Sequence, residues 1–216
     1  PRALHALNLG MCRDMRSALL DWQVDPGVSA VLIDHAEGRG FCAGGDLRAL
    51  AASGAADGSE AAQFFRTEYQ INHLLFSYGK PVIAVMDGVT MGGGAGLVLP
   101  ARYRIATERT VFAMPEGAIG LFPDVGACWH LARLPGRFGV WLALTGARLD
   151  GADCVALGLA NAYVPSDRID EIKARLLAQP DDVETILQPF RQASVSPAPG
   201  LRVTIDRLFA ADKVED

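Results

Sequence analysis

The sequence lacks the features that mark membrane, nucleic-acid-binding and metal-binding proteins. No apolar run approaches the ~20 residues that a membrane-spanning helix needs, and residues 1–5 do not resemble a signal peptide. Lysine and arginine are scattered, and the net charge of -5 gives no reason to expect a nucleic acid as partner. The four histidines form no short metal-ligand pattern. We therefore predict no metal, no nucleic acid and no membrane partner.

Cysteine is sparse and shows no paired spacing. Cys12, Cys42, Cys128 and Cys154 are far apart and form no CxxC pair. They could pair in principle, but nothing else in the sequence suggests a small secreted scaffold held by disulfides. We predict a reducing, cytoplasmic setting.

Three common motifs are also absent. A dinucleotide fingerprint requires GxGxxG, but Leu97 stands where a third glycine should follow Gly92 and Gly94. The only Gly-Lys pair is followed by Pro81, which excludes a P-loop, and no serine has the GxSxG context. Nucleotide binding by these loops and serine-hydrolase chemistry are not expected.

What is present is the composition of a globular protein. Of the 216 residues, 50% are hydrophobic and 21% are charged, so the chain can bury a sizeable core. Predicted strands at 28–34, 82–86, 103–106 and 110–113 alternate with helices, of which 60–78 is the longest. This alternation predicts an α/β fold.

Two carboxylates, Glu116 and Asp124, lie in a segment otherwise made of apolar residues, glycine and proline. Acids in apolar surroundings are partly desolvated, which raises a carboxyl pKa and suits proton transfer. Each also follows a proline, so both could instead occupy the first turns of helices. This segment alone leaves the two interpretations open.

Two glycine-rich loops, residues 38–47 and 91–97, each follow a predicted strand and lead into a helix. Helix N-termini present unpaired N–H groups and the positive end of a dipole. Two such loops brought together can direct N–H donors at one oxygen and form an oxyanion hole. The alternative is that the glycines only allow strands and helices to pack closely.

Four motifs in this chain resemble the crotonase (enoyl-CoA hydratase/isomerase) superfamily in their order and separations. They are residues 41–46 (FCAGGD), 80–84 (KPVIA), 91–94 (MGGG) and the Pro-Glu pair at 115–116. The resemblance covers roughly residues 1–165 and implies an α/β spiral of ββα units, with an acyl-CoA thioester lying across the loops.

The resemblance implies roles for the glycine loops. The two oxyanion N–H groups fall on Gly45 and Gly93. Further substrate contacts fall on Ala43, Asp46 and Gly92. CoA enters as part of the substrate, so no cofactor is expected.

Within the superfamily, the acids are similar to those of 3-hydroxyisobutyryl-CoA hydrolases. Two-glutamate hydratases carry a glutamate where this chain has Gly96, while Glu116 fills the second position. In the hydrolase group the residues matching Glu116 and Asp124 are the catalytic acids. The segment 64–69 (FFRTEY) matches one that supplies a substrate-contacting glutamate, here Glu68. Glu68 could equally be a solvated acid on a long helix.

The reaction implied by this resemblance is hydrolysis of a thioester. Glu116 would activate water as a general base or attack the carbonyl itself, and these alternatives stay open. Asp124 would orient the substrate hydroxyl or help to move the proton. Two other functions are weighed: hydration or isomerisation of another acyl-CoA, and a non-catalytic acyl-CoA-binding module.

The resemblance also implies that the chain is truncated. The superfamily's first strand would precede residue 1, and full-length hydrolases continue into a helical domain. We therefore divide the chain into an acyl-CoA-binding core at 1–165 and an incomplete helical C-terminal segment at 166–216. The superfamily often forms trimers, so a homo-oligomer of that type is also a prediction.

Overall fold

The computed structural model describes residues 4–191, 199–211 and 213. Over these residues the helices are α1 (Leu9–Val24), α2 (Leu47–Ala55), α3 (Ser59–Phe76), α4 (Gly93–Val98), α5 (Ala127–Leu131), α6 (Phe138–Thr145), α7 (Gly151–Ala156), α8 (Ile169–Ala178), α9 (Val183–Leu187) and α10 (Pro199–Leu208). The strands are β1 (Val31–Ile33), β2 (Gly40–Cys42), β3 (Val82–Met86), β4 (Val89–Met91), β5 (Tyr103–Ala106), β6 (Val111–Ala113), β7 (Leu149–Asp150) and β8 (Ala162–Tyr163). Short 3-10 helices occupy Glu116–Ile119, Ser166–Arg168, Pro180–Asp182 and Gln188–Phe190.

The strands form two four-stranded sheets. One has the order β1-β3-β5-β8 and is parallel throughout; the other has the order β2-β4-β6-β7, in which β7 is antiparallel to β6. From β1 to β6, consecutive strands alternate between the sheets, and each of the pairs β1/β2, β3/β4 and β5/β6 is followed by a helix or a 3-10 turn. The repeating ββα unit confirms the predicted crotonase-like spiral.

The centre of the first sheet is β3, which is hydrogen-bonded to β1 on one side and to β5 on the other. All five of its residues are buried. A parallel strand covered on both faces reads as a continuous apolar run, which is why Val82–Met86 was recognisable from the sequence.

The chain before α1 pairs with the loop that follows β2. Leu7 forms a parallel bridge with Gly45. The Leu7 N–H donates to the Gly44 carbonyl at 2.8 Å, and the Asp46 N–H donates to the Leu7 carbonyl at 2.8 Å. The Ala43 N–H donates to the carbonyl of Leu4 at 3.0 Å. Main-chain hydrogen bonds to the segment before α1 therefore fix the position of the glycine loop.

The helices α8 and α9 pack against the first sheet. Ile172 of α8 and Ile186 of α9 share a buried cluster with Ile83 and Ile105 of β3 and β5. The division of the chain at 165/166 stays a prediction, because residues 192–198, 212 and 214–216 of the second segment lie outside the described residues.

Several short elements differ from the sequence predictions. β2 lies inside the predicted loop 38–47, and β4 stands directly before the glycine triplet, where no strand was expected. The helix that could have started at Pro123, with Asp124 in its first turn, begins only at Ala127. Strands of three residues are too short to show alternation, and their existence depends on partners distant in sequence.

Within the described residues no helix is long and apolar enough to cross a membrane. The four cysteines are free thiols. The cytoplasmic setting stays a prediction.

The tight approach of α4 to β2 leads to a stability prediction for Gly94→Ala. A β-carbon on Gly94 would overlap the Cys42 carbonyl oxygen and press against Cys42 Cβ at 2.9 Å. We expect a loss of about 1–3 kcal/mol in the free energy of unfolding, because overpacking forces the backbone apart. Urea unfolding of the full-length protein measures it.

Gly54→Ala is the matched control. Gly54 lies within α2, and nothing would come within 4 Å of a β-carbon there. Alanine in an open helical position should leave stability unchanged or raise it by up to about 1 kcal/mol. Equal losses for the two variants would contradict the proposed backbone contact.

Candidate active site

The two glycine-rich loops lie against each other. A β-carbon on Gly44 would be 3.3 Å from the carbonyl oxygen of Met91 and 3.4 Å from the nitrogen of Gly93. Gly44 has φ of +103°, a conformation that L side chains rarely adopt. Glycine at this position therefore allows the loop after β2 to approach the start of α4.

Backbone N–H groups of both loops are available at this contact. Gly93 is the first residue of α4, so its N–H has no partner within the helix. The N–H groups of Ala43 and Asp46 bond to residues 4 and 7, whereas the Gly45 N–H has no hydrogen-bond partner in the described part of the chain. Gly45 and Gly93 line one cavity of about 200 Å³. The geometry is compatible with two donors serving one oxygen.

Glu68 is a buried acid beside the N-terminus of α4. Its residue is 2% exposed, and a β-carbon on Gly93 would overlap its Oε1 atom. Oε1 has no hydrogen-bond partner among the described residues. Burial, followed by the charges of Asp124 and Glu116, raises the pKa of Glu68 to about 8. The group is therefore mostly a neutral carboxylic acid at pH 7 and can donate a hydrogen bond.

Glu116 is the second buried acid. It is the first residue of the 3-10 helix that follows Pro115, and it is 7% exposed. Its Oε1 would be 3.0 Å from a β-carbon on Gly92, while its Oε2 finds no partner within the described residues. Burial above all, together with the charge of Asp124, raises the pKa of Glu116 to about 7. Such a group can both accept and return a proton near neutral pH.

Asp124 is the third acid that lines the cavity. It is half-buried and accepts a hydrogen bond from the Tyr69 hydroxyl at 2.7 Å. Burial and this bond both raise the pKa of Tyr69, so the phenol stays a donor to the carboxylate. Tyr69 was missed by the sequence reasoning, although it directly follows Glu68 in the recognised segment.

The cavity brings together most of the predicted site residues. Glu68, Glu116 and Asp124 line it, with Ala43, Gly45, Gly92 and Gly93. Its apolar wall includes Phe64, Phe65, Ile119 and Leu121. An apolar wall around a few converging polar groups is the usual character of a small-molecule site.

Asp46 occupies a different position. Its carboxylate accepts hydrogen bonds from the N–H groups of Arg48 at 3.1 Å and Ala49 at 3.2 Å. Asp46 thus caps α2. Its predicted contact with substrate stays a prediction, as do the other assigned site roles.

Two of the open alternatives are decided by the geometry. Glu68 is not a solvated acid, because it is buried under α4. Glu116 does begin a short helical turn, but Asp124 lies three residues before α5 and is not part of its first turn. The proline before Asp124 misled that interpretation, since it precedes a turn here.

Comparison with known proteins places the chain in a family. The enoyl-CoA hydratase/isomerase family matches residues 1–216. The chain belongs to that family, within the crotonase superfamily. It is 43% identical to the mitochondrial 3-hydroxyisobutyryl-CoA hydrolase of Xenopus tropicalis, across 100% of this chain and 58% of that protein. It is 42% identical to 3-hydroxyisobutyryl-CoA hydrolase 1 of Arabidopsis thaliana, across 100% and 59% respectively.

Solved structures from the family are equally similar. A carnitinyl-CoA dehydratase from Mycobacterium thermoresistibile matches with a TM-score of 0.93 and 42% identity, over 100% of this chain and 63% of that one. An enoyl-CoA hydratase from Rhodobacter sphaeroides matches with a TM-score of 0.90 and 43% identity, over 98% and 61%. The chain thus spans little more than half the length of these family members, whose names denote different reactions.

The buried acid on α3 leads to a stability prediction for Glu68→Gln. The pKa of Glu68 in the folded protein, about 8, lies above its ordinary value of 4.5. Its contribution to stability is therefore present below pH 4.5 and is lost as pH rises towards 8, at about 1.4 kcal/mol per pH unit for one group. Glutamine cannot ionise, so the melting temperature of Glu68→Gln relative to wild type should rise between pH 5 and pH 8.5.

Glu60→Gln is the control, because Glu60 lies on the same helix but is exposed. Its melting temperature relative to wild type should change little over that pH range. If Glu68→Gln behaves like Glu60→Gln, the buried acid is not held in its neutral form.

Proposed function

We propose that the chain forms the acyl-CoA site of a thioester hydrolase that converts 3-hydroxyisobutyryl-CoA to the free acid and CoA. The observation that supports this most strongly is the arrangement of Glu68, Glu116 and Asp124 around the Gly45 and Gly93 N–H groups. The names of the curated relatives agree with it. A homo-oligomer of the trimer type remains part of this proposal, as does the absence of a cofactor beyond the CoA of the substrate.

The main-chain donors stabilise the developing negative charge. The thioester oxygen accepts hydrogen bonds from the N–H groups of Gly45 and Gly93 as it becomes an oxyanion. Loss of one such donor typically costs about 10²–10³ in rate. Because both donors are on the backbone, no side-chain substitution removes them directly.

Glu116 acts on the carbonyl carbon. In its ionised form it removes a proton from a water molecule that attacks the carbonyl, or it attacks the carbonyl itself to give an anhydride that water then cleaves. In either case the C–S bond breaks, the electron pair leaves with the CoA sulfur, and the sulfur takes up a proton. Glu116, with a pKa near 7, suits either role at neutral pH.

Asp124 and Glu68 serve the other end of the acyl group. Asp124, held by Tyr69, accepts a hydrogen bond from the substrate hydroxyl or helps to move the proton. Glu68 is neutral at pH 7 and donates a hydrogen bond to a substrate oxygen. Glu68, with a pKa of about 8, and Glu116, with a pKa of about 7, divide the acid and base roles between them.

A second candidate reaction is hydration or isomerisation of a double bond, and the names of the solved relatives favour it. One or two acids beside an oxyanion hole also suffice to move a proton α to a thioester carbonyl. The space over Gly96 counts against the two-glutamate form, since a β-carbon there would be 2.6 Å from Val125 Cβ and 2.7 Å from Asn72 Nδ2. An acyl-CoA-binding module without turnover is the third candidate, although the positions of both predicted catalytic acids are filled.

The test compares CoA release with the enone absorbance in the full-length protein, across short 3-hydroxyacyl-CoA and enoyl-CoA substrates. We expect CoA release, fastest with 3-hydroxyisobutyryl-CoA. Glu116→Gln should reduce kcat by about 10²–10⁴ because the general base is lost. Glu37→Gln, an exposed acid, serves as control. Enone turnover without CoA release would favour the second reaction, and binding without turnover would favour the third.

The pH dependence of kcat separates the roles of the two glutamates. We expect kcat to rise through about pH 7 as Glu116 ionises and to fall above about pH 8 as Glu68 loses its proton. Glu68→Gln keeps a neutral donor, so its profile should retain the rise and lose the fall. A fall that persists in Glu68→Gln would assign the alkaline limb to another group.

A further inference from the structure

Val125 adopts a backbone conformation that is unusual for its residue type. The Asp124 carbonyl accepts a hydrogen bond from the Ala127 N–H at 2.7 Å, which closes a four-residue turn. The two central residues, Val125 and Gly126, have φ of +46° and +81°. This is the arrangement of a type I′ turn, in which glycine, asparagine and aspartate predominate. A β-branched residue with positive φ is an outlier.

The side chain of Val125 explains why valine occupies this position. Val125 is 3% exposed and packs directly over Gly96 in α4. A β-carbon on Gly96 would be 2.6 Å from Val125 Cβ and 3.0 Å from its Cγ2. The space left by the missing side chain at position 96 is therefore filled by Val125. This contact offsets the unfavourable positive φ of Val125.

Gly96 is also held by a side chain of α3. The Asn72 Nδ2 donates to the Gly96 carbonyl at 3.0 Å. Asn72 lies on α3, one turn after Glu68 and Tyr69, so the surface on which Val125 rests is tied to the helix that carries two other groups of the site. Asp124 is held on that same helix through the Tyr69 hydroxyl.

We propose that Val125 is a positioning residue, which holds the Asp124 carboxylate in the cavity by packing its own side chain on Gly96. The proposal rests on the proposed role of Asp124 in the reaction. Asp124 thus has two attachments: a hydrogen bond to its carboxylate and an apolar contact made by its neighbour. The Asp124 carboxylate keeps its position in the cavity only while both contacts are present.

Val125→Gly tests the side chain without disturbing the turn, because glycine favours positive φ. We expect kcat to fall at least tenfold, with KM changed less than threefold. Gly96→Ala, which presses on Val125 from the opposite side, should lower kcat in the same way. Val183→Gly removes a buried valine from the second hydrophobic cluster and should leave kcat within twofold of wild type.

A double-mutant cycle distinguishes positioning from a general loss of structure. If Val125 acts through Asp124, Val125→Gly should reduce kcat by less than twofold in an Asp124→Asn background, because the positioned group is gone. The same factor in both backgrounds, or wild-type kcat for Val125→Gly, would overturn the proposal. If Val125→Gly does not fold, Val125→Ala, which loses only the two γ-carbons, takes its place in the cycle.

A crystal structure of Val125→Gly gives a readout that is independent of the reaction. The Tyr69 hydroxyl to Asp124 Oδ2 hydrogen bond of 2.7 Å should be broken. If the full-length protein hydrolyses no thioester but this bond is broken, the proposed function is wrong and the positioning is right. If the bond is retained, the positioning is wrong whatever the reaction.

Discussion

The candidate site depends on the absence of side chains along the start of α4. A different group packs against each glycine there: the Glu116 carboxylate against Gly92, the Glu68 carboxylate against Gly93, and the Cys42 carbonyl against Gly94. The Val125 side chain packs against Gly96, two residues later. The run of glycines is therefore a smooth surface onto which four separate segments pack. At Gly93, Gly94 and Gly96 the space that a β-carbon would occupy requires glycine, whereas Gly92 also has a positive φ of +52°.

This surface brings acids together without a compensating cation in the lining of the cavity that the structure describes. Burial and mutual repulsion then keep protons on Glu68 and Glu116 up to near-neutral pH. The arrangement costs stability progressively as pH rises from 4.5 towards those pKa values, and the packing of the two sheets has to offset this loss. Sites that transfer protons often contain such destabilising groups with shifted pKa values. The same burial that weakens the fold at alkaline pH makes the acids useful.

The sequence allowed the α/β class, the meeting of the two glycine loops and the burial of Glu116 to be predicted, because long apolar runs and spaced motifs are local signals. It did not reveal the burial of Glu68, since a long helix presents several faces and the buried one depends on where α4 lands. It also misplaced Asp124, because a proline precedes both helix starts and turns. The positive φ of Val125 had no local signal, as valine is the wrong residue type for it.

The fold alone does not determine the reaction, because family members of equal similarity carry the names of hydrolases, hydratases and dehydratases. The reaction therefore depends on the residues that line the cavity. At position 96 the chain has no room for an acid, and the volume is used by the residue that follows Asp124. In the turn before α5, Asp124 lines the cavity and accepts a hydrogen bond from the Tyr69 hydroxyl. In the function that we propose, this carboxylate serves the substrate hydroxyl, and a second glutamate on α4 is not required. Hydrolysis of a hydroxyacyl thioester is therefore our proposal in preference to addition of water by two glutamates.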